Sequence, residues 1–373
     1  MLKSLTFNDI ISESDINLEE FEKFLSNFFS SNVCLIPNAA FGLDIILKHH
    51  NISPGEKILI PAFMCENTVS FLIDKGYKIN FVDHKPSSFD ISIESLREVS
   101  DDKTKAIIIP HFFGISSNTQ EVQNFVDGRF LVIDDAAQSF TARSDGKLLG
   151  RLGNAGVVSF GFGKAFSSGS GGLVISDNKD LIDNIRDVIQ TETFSINWAI
   201  IPKIFFSEIV KSNFFKLFFY PLILMRRKRS RVFLNSKINF AYTKYQANLI
   251  CKQLKRVDEI NSFRVENYKN IKKAFNRLSS VDVVDTTRGP GSIYTKIPLL
   301  ILNGSLSRSE LIIKLGTAGI QASIPYPFLL NKKYSFSDVS CLCSNFLSKR
   351  LITIPNERLS QSQIYKINKI LCK

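Results

Sequence analysis

The residues best suited to chemistry lie in two short segments, residues 131–138 and 159–172. The second reads S-F-G-F-G-K-A-F-S-S-G-S-G-G, in which small residues flank Lys164 and leave its amine accessible. The first reads L-V-I-D-D-A-A-Q, an apolar run of strand character with Asp135 at its end. A carboxylate at the C-terminal end of a strand points into the crevice where α/β proteins bind ligands. A lysine that forms a Schiff base and an acid that keeps a pyridine nitrogen protonated are the pair that pyridoxal phosphate (PLP) requires.

Both segments resemble motifs of the DegT/DnrJ/EryC1/StrS sugar aminotransferases. That family carries S-F-x-x-x-K-x-x-x-x-G-E-G-G after a strand that ends in E-D-A-A-Q. The resemblance spans roughly residues 30–190 and 238–370. The matching residues are Ser159, Phe160, Lys164, Gly169, Gly171, Gly172, Asp135, Ala136, Ala137 and Gln138.

The resemblance implies a fold. We expect the α/β architecture of the type I PLP-dependent aminotransferases, with a mainly parallel seven-stranded sheet between helices and a smaller C-terminal α+β domain. The large domain would occupy residues 1–237, and an interdomain helix with the small domain residues 238–373. The residue pattern agrees, because strands alternate with helical segments up to about residue 180, which favours a mainly parallel sheet covered on both faces.

The resemblance also implies roles for individual residues. Lys164 would hold PLP and act as the base once a donor amine displaces it. Asp135 would pair with the pyridine nitrogen, and Gln138 would hydrogen-bond the phenolic oxygen of the ring. His111, which follows another strand, could reach the same region, although a lone histidine there is more often a structural residue.

The phosphate is expected at Ser159 and at the backbone amides of Ala39 and Ala40. A short strand turns into a helix there, so its first N–H groups are free to bind an anion. The family reads S-N-G-T-A-A-L at this point, and Ala39 and Ala40 replace its Gly and Thr. In the family, an asparagine that matches Asn239 reaches the phosphate from the other subunit. The resemblance therefore implies a homodimer with shared active sites.

The sequence departs from the family pattern at several site positions. Cys65 stands where the family commonly places an aromatic side chain over the PLP ring, and Phe63 or Phe112 could supply such a ring from nearby. Ser170 replaces the glutamate of G-E-G-G, and Ala241 replaces a family arginine. These departures keep open a PLP-fold binding or regulatory protein, associated with a membrane, that has lost turnover.

The activity that the resemblance implies is a PLP-dependent aminotransferase that converts a keto group of a nucleotide-linked sugar to an amine. Glutamate would be the donor, and the product would serve cell-surface polysaccharide or related glycan synthesis. Relatives that dehydrate sugars have lost the lysine, so the presence of Lys164 argues against that reaction. The sequence does not identify the sugar, its nucleotide or the carbon that is aminated.

Composition limits the partners and the setting of the protein. The net charge of +12 suits nucleic acid, an anionic membrane surface or anionic substrates. No nucleic-acid-binding motif accompanies the charge, so we expect no nucleic-acid partner. The six cysteines include no C-x-x-C pair and only four histidines are present, which favours neither a disulfide framework nor a metal site. The first 20 residues lack an apolar signal segment, which predicts a cytoplasmic protein.

Residues 194–232 do not resemble the family. They combine an aromatic, apolar run with the basic segment R-R-K-R-S-R at residues 226–231. The uncharged stretch 217–225 reaches only about half of the roughly 20 residues that span a bilayer. We expect this insertion either to pack as helix against the partner subunit or to contact the inner face of a membrane peripherally.

Overall fold

A computed structural model gives the fold of the chain. The described residues are 9–10, 16–192, 200, 202–204, 241–275, 281–283, 291–302, 307–317, 319–334, 340–356, 362–363, 365–366 and 369.

An amphipathic helix, α1 (Leu18–Phe29), precedes the sheet. Its N-terminus carries a capping box, in which the N–H of Glu20 donates to Asn17 Oδ1 (2.8 Å) and the N–H of Asn17 donates to Glu20 Oε2 (3.0 Å). The buried residues of α1 are Phe21, Leu25 and Phe29. The helix thereby covers part of the outer face of the sheet.

Seven strands form the large sheet, and a two-stranded hairpin interrupts their sequence. In chain order the strands are β1 (Asn32–Ile36), β2 (Lys57–Pro61), β3 (Lys78–Val82), β4 (Thr104–Pro110), β5 (Leu131–Asp135), the hairpin β6 (Arg143–Ser144) and β7 (Lys147–Leu148), β8 (Ala155–Ser159) and β9 (Gly172–Ser176). Their spatial order is β1-β9-β8-β5-β4-β2-β3. Only β9 runs antiparallel to its neighbours, which confirms the mainly parallel seven-stranded sheet.

Helices cover both faces of this sheet. They are α2 (Ala39–His49), α3 (Glu66–Asp74), α4 (Ile93–Val99), α5 (Thr119–Val126) and α6 (Lys179–Thr191). The central strands are apolar at successive positions, as in the A-I-I-I run of β4, because both faces of a parallel sheet are buried. Separate apolar clusters fill the two layers between sheet and helices.

The C-terminal part forms a smaller α+β unit. Two helices lead into it, α7 (Lys244–Leu254) and α8 (Val257–Phe275). Its antiparallel sheet has the order β10 (Val281–Val283), β11 (Lys296–Ile301) and β12 (Leu351–Pro355). Its helices are α9 (Arg308–Thr317), α10 (Leu330–Tyr334) and α11 (Leu342–Arg350). The predicted small α+β domain is thus present, while its boundary at residue 237 lies outside the described residues and stays a prediction.

The insertion predicted at residues 194–232 also lies almost wholly outside the described residues. Of its few described positions, Ile200 and Ile204 pack with Leu249 of α7. Among the helices that the structure describes, none has the length and apolar character needed to cross a membrane.

Candidate active site

Neighbouring strands of the large sheet bring the predicted site residues to one edge. Asp135 ends β5 and pairs with Val157 of β8, the strand that ends at Ser159. Ser159 pairs with Gly172 of β9, which in turn pairs with Ile36 at the end of β1. Because parallel strands end at the same edge, Asp135, Ser159 and the turn after β1 face one crevice.

Asp135 is a buried carboxylate with one oxygen left for a ligand. Its residue is 8% exposed, and its Oδ1 accepts a hydrogen bond of 2.9 Å from the N–H of Ala137. Within the described part of the chain, no donor reaches its Oδ2. Burial raises the pKa of Asp135, whereas the N–H of Ala137 and the charge of Lys164 lower it. A cationic ligand would offset the cost of this buried charge.

Lys164 lies on the loop between β8 and β9 and is half-buried. Its N–H donates to the carbonyl of Gly161 at 3.3 Å, which makes a tight turn before the lysine. The N–H of Phe160 donates to the carbonyl of Gly171 at 2.9 Å and joins the two ends of the loop. Ala165, which follows the lysine, is fully packed. The backbone at Lys164 is therefore fixed while its side chain remains accessible.

Two buried glutamines of α7 hold the same loop from behind. Gln253 accepts a hydrogen bond from the N–H of Ser167 and donates one to its carbonyl, both at 3.0 Å. Gln246 donates to the hydroxyl of Ser170 at 2.8 Å. Ser170, which departs from the family motif, is thus a hydrogen-bonding part of the loop support.

The loop requires glycine at two positions because neighbouring atoms lie too close to its backbone for a side chain. Gly171 has a φ of +91°, and a Cβ on it would lie 2.2 Å from the ring of Tyr242. A Cβ on Gly172 would lie 2.2 Å from the carbonyl oxygen of Val158. The N–H of Gly171 donates to the carbonyl of Pro37 at 3.0 Å. This bond ties the loop to the turn that begins α2.

The first turn of α2 offers free N–H groups to the crevice. Asn38 caps the helix by accepting a hydrogen bond of 3.0 Å from the N–H of Phe41. The N–H groups of Ala39 and Ala40 have no acceptor among the residues that the structure describes. A helix N-terminus with free donors favours an anion. Ser159 Oγ accepts from the N–H of Gly161 at 3.3 Å, which leaves its own proton available.

Gln138 contacts a residue that the sequence did not single out. Its Nε2 donates to the hydroxyl of Tyr326, which lies between Pro325 and Pro327 in the small domain. Burial raises the pKa of Tyr326, and nearby Cys65 raises it further, so the hydroxyl stays protonated. A tyrosine fixed between two prolines was the only signal for this residue.

Cys65 and Tyr326 line a cavity of about 200 Å³ beside the crevice. Cys65 is the N-cap of α3 and makes no side-chain capping bond. Phe63 and Phe112 are fully buried, with ring centres 5.0 and 5.9 Å from that of Tyr326. Neither phenylalanine lines this cavity, whereas Tyr326 and Phe328 do, so the aromatic part of its wall comes from the small domain.

Asp134, the first carboxylate of the motif, has a structural role. Its Oδ1 bonds with Nε2 of His111, and its Oδ2 accepts from the N–H groups of Gly150 (2.6 Å) and Leu152 (3.0 Å). His111 is fully buried and its Nδ1 accepts from the N–H of Ser117 at 2.9 Å. The interpretation of His111 as a structural residue agrees with these contacts.

The residues present fit PLP. Among the described residues, an accessible amine, an oxygen of a buried carboxylate that receives no donor and two N–H groups that reach no acceptor match the aldehyde, the pyridine nitrogen and the phosphate of that molecule. Asn239, the predicted cross-subunit contact, lies outside the described residues. The role given to each site residue stays a prediction.

Comparisons with known proteins agree with the motifs. GDP-perosamine synthase of Vibrio cholerae is 25% identical over 168 residues, which are 44% of this chain and 46% of that enzyme, so this match spans about half of the relative's length. GDP-4-keto-6-deoxy-D-mannose 3-dehydratase of Yersinia pseudotuberculosis is 23% identical over 327 residues, 85% of this chain and 79% of that enzyme.

A solved structure shares the fold. The E. coli GDP-4-keto-6-deoxy-D-mannose-3-dehydratase with bound hydrated PLP superposes with a TM-score of 0.74 and 18% identity, over 95% of this chain and 91% of that one. The family profile itself matches residues 3–371. The chain therefore belongs to the DegT/DnrJ/EryC1/StrS aminotransferase family.

Proposed function

We propose that the protein is a PLP-dependent aminotransferase that converts a keto group of a nucleotide-linked sugar to an amine, with glutamate as donor. The observation that carries the proposal is the pairing of an accessible Lys164 with a buried Asp135 whose second oxygen has no donor among the described residues. The two relatives named above are enzymes of GDP-linked sugars, which supports this substrate class.

Each site residue has a separate role in the proposed reaction. PLP, when bound, supplies an electron-withdrawing ring that stabilises negative charge on the carbon of the donor. Lys164 would hold the cofactor, and its Nζ would take the proton from the donor carbon. Asp135 would pair with the ring nitrogen, and Gln138 would orient the ring. The N–H groups of Ala39 and Ala40, with Ser159, bind the phosphate.

Two other functions compete with this proposal. A sugar dehydratase would not need the amine of Lys164 as a proton carrier, and the relatives of that type suggested by the family resemblance lack the lysine. A binding or regulatory protein without turnover rests on the departures at Ala40, Cys65, Ser170 and Ala241. Ser170 hydrogen-bonds Gln246 within the lysine loop, and Ala40 keeps its backbone N–H, so these two contacts remain despite the departures.

The test uses purified protein loaded with PLP and given L-glutamate without a sugar. We expect the bound cofactor to change to its amine form, as followed by absorbance, and Lys164→Ala to abolish this change. A screen of keto-sugar nucleotides, with the products separated as amino or deoxy sugars, then identifies the acceptor. Bound PLP that no amino acid converts would favour the binding or regulatory function, and deoxy products would favour the dehydratase.

The assembly and the setting belong to the same proposal. We infer a homodimer with shared sites in the cytoplasm, in which Asn239 serves the partner's site. Mixing Lys164→Ala subunits with Asn239→Ala subunits should then restore one active site per heterodimer, and proven heterodimers without activity would refute the sharing.

We also propose peripheral membrane contact through residues 194–232. It predicts salt-sensitive binding to anionic liposomes, which should be lost when residues 226–229 become glutamine.

A further inference from the structure

A second lysine, Lys296, lies at the same sheet edge as Asp135 and has not been assigned a role. Lys296 is the first residue of β11, in the small domain. Just before it, the N–H of Thr295 donates to the carbonyl of Phe113 at 2.7 Å, and the N–H of Ile293 donates to the carbonyl of Gly114 at 2.9 Å. These two bonds attach the start of β11 to the loop that follows β4, at the same sheet edge as Asp135.

Phe113 positions the Lys296 side chain. Lys296 Nζ lies 5.9 Å from the centre of the Phe113 ring, and this ring stacks on Tyr326 with an interplanar angle of 22°. Phe113 has a φ of +55°, a left-handed conformation that is uncommon for a bulky residue. Its ring contacts both Lys296 and Tyr326.

The ammonium of Lys296 has no anionic partner among the described residues. No carboxylate or carbonyl oxygen of the described residues forms an ion pair or hydrogen bond with it. Burial lowers the pKa of Lys296, and the neighbouring charge of Lys164 lowers it further. By contrast, Lys333 is paired with Glu66, a residue that lines the cavity of Cys65 and Tyr326. A partly buried ammonium without an anionic partner among the described residues favours an anion beside it.

The position of Lys296 restricts which anion this can be. The N–H groups of Ala39 and Ala40 follow β1, on one side of the central strand β5, whereas Phe113 follows β4 on the other side. A phosphate bound by those N–H groups would therefore lie across β5 from Lys296. The proposed amino donor carries a carboxylate on its reacting carbon, and that carbon has to come within reach of the Lys164 amine.

We propose that Lys296 binds the carboxylate that the amino donor carries on its reacting carbon, and thereby selects α-amino acids over simple amines. This inference rests on the aminotransferase function proposed above. Lys296 acts as a specificity residue, since an ammonium that pairs with the donor carboxylate fixes the donor carbon beside Lys164.

The test measures binding without turnover. α-Methylglutamate, which has no hydrogen on its reacting carbon, is titrated calorimetrically into the PLP-loaded wild type, Lys296→Met, Lys296→Arg and Lys333→Met. We expect Lys296→Met to weaken binding by about tenfold or more, Lys296→Arg to retain much of it, and Lys333→Met to match the wild type. UDP and GDP, titrated in parallel, should bind Lys296→Met as they bind the wild type.

Kinetics with two donors complete the test. For glutamate, Lys296→Met should raise KM and change kcat little, whereas 1-phenylethylamine, which has no carboxylate, should react equally with both proteins.

Two other results are possible. An equal loss of activity with both donors would mean that Lys296 acts on Lys164, and a selective loss of UDP or GDP binding would mean that Lys296 holds the nucleotide. Either result overturns the inference. A wild type that no amino acid converts would refute the proposed function instead, and a folded Lys296→Met with unchanged α-methylglutamate affinity would refute the role of Lys296 alone.

Discussion

Nη2 of Arg264 donates a hydrogen bond of 2.8 Å to the backbone carbonyl of Ala165, the residue that follows Lys164. Arg264 is fully buried in α8, and its guanidinium lies 5.3 Å from the centre of the Phe166 ring. Since α8 leads into the small domain, this contact connects that domain with the loop of the proposed catalytic lysine. A buried guanidinium used in this way fixes the backbone on which the lysine stands.

The first prediction follows from that contact. Arg264→Met keeps the apolar stem and leaves the carbonyl of Ala165 without its donor. We expect the free energy of unfolding to fall by about 1–3 kcal/mol and PLP to dissociate faster, because the lysine loop loses its support. Urea unfolding and the rate of cofactor release measure the two effects. Arg97→Met, which removes an exposed arginine stacked on Phe125, is the control and should change stability by less than about 0.5 kcal/mol. Equal behaviour of both variants would contradict this role of Arg264.

A second prediction concerns the pair of His111 and Asp134. Because Nδ1 of His111 accepts from a backbone N–H, its Nε2 carries the proton that is donated to Asp134. His111→Ala should lower the free energy of unfolding by about 1–3 kcal/mol, since a buried carboxylate loses a donor. In a double-mutant cycle with Asp134→Ala, the two losses should couple by more than about 0.5 kcal/mol.

Cofactor labelling in the His111→Ala variant tests whether His111 has a structural role or acts on the cofactor. After borohydride treatment of the PLP-loaded His111→Ala protein, the pyridoxyl group should still be found on Lys164. Additive losses in the cycle, or failure of labelling in a folded variant, would show that His111 serves the cofactor directly.

The sequence was sufficient to predict the fold, and its two motifs supplied most of the candidate site residues. Strand ends that carry a carboxylate, and a lysine between small residues, have a local pattern that can be read directly. Tyr326 has none, since 188 positions separate it from Gln138 and only the folded small domain brings the two together. Arg264 was missed for a different reason: a charged residue on a long charged helix is normally exposed, and only tertiary packing shows that this one faces inward.

A third prediction concerns the link between the two domains. The carboxylate of Asp83, just after β3, accepts from the N–H groups of Cys343 (2.9 Å) and Ser344 (2.7 Å) at the start of α11, and from the Ser344 hydroxyl (2.6 Å). Asp83 thus caps a small-domain helix from the large domain. Asp83→Ala should cost about 1–3 kcal/mol, and the amides of α11 should exchange with solvent faster.

Ser92→Ala provides the comparison. Ser92 caps α4 within the large domain by accepting from the N–H of Ser95 at 3.1 Å. Its loss should lower stability without a selective effect on α11. If Asp83→Ala leaves exchange in α11 no faster than Ser92→Ala does, the capping of α11 by Asp83 does not connect the domains.

The last prediction concerns how the buried charge of Asp135 affects the stability of the protein with and without PLP. Burial raises the pKa of Asp135 above that of a carboxyl group in the unfolded chain. The stability that this group contributes is therefore complete below the unfolded pKa and is lost as the pH rises through the folded pKa. In cofactor-free protein, Asp135→Asn removes a buried charge and keeps an oxygen that accepts from the N–H of Ala137. We expect this variant to have a higher Tm than the wild type at neutral pH, with the difference shrinking as the pH falls towards about 4.

PLP should reverse the order of the two Tm values, because a carboxylate stabilises the protonated ring nitrogen and an amide does not. The wild type should therefore gain more in Tm on binding PLP and react orders of magnitude faster. Melting curves at several pH values, with and without PLP, measure both effects. A cofactor-free variant that melts below the wild type at neutral pH would mean that Lys164 already compensates the charge of Asp135.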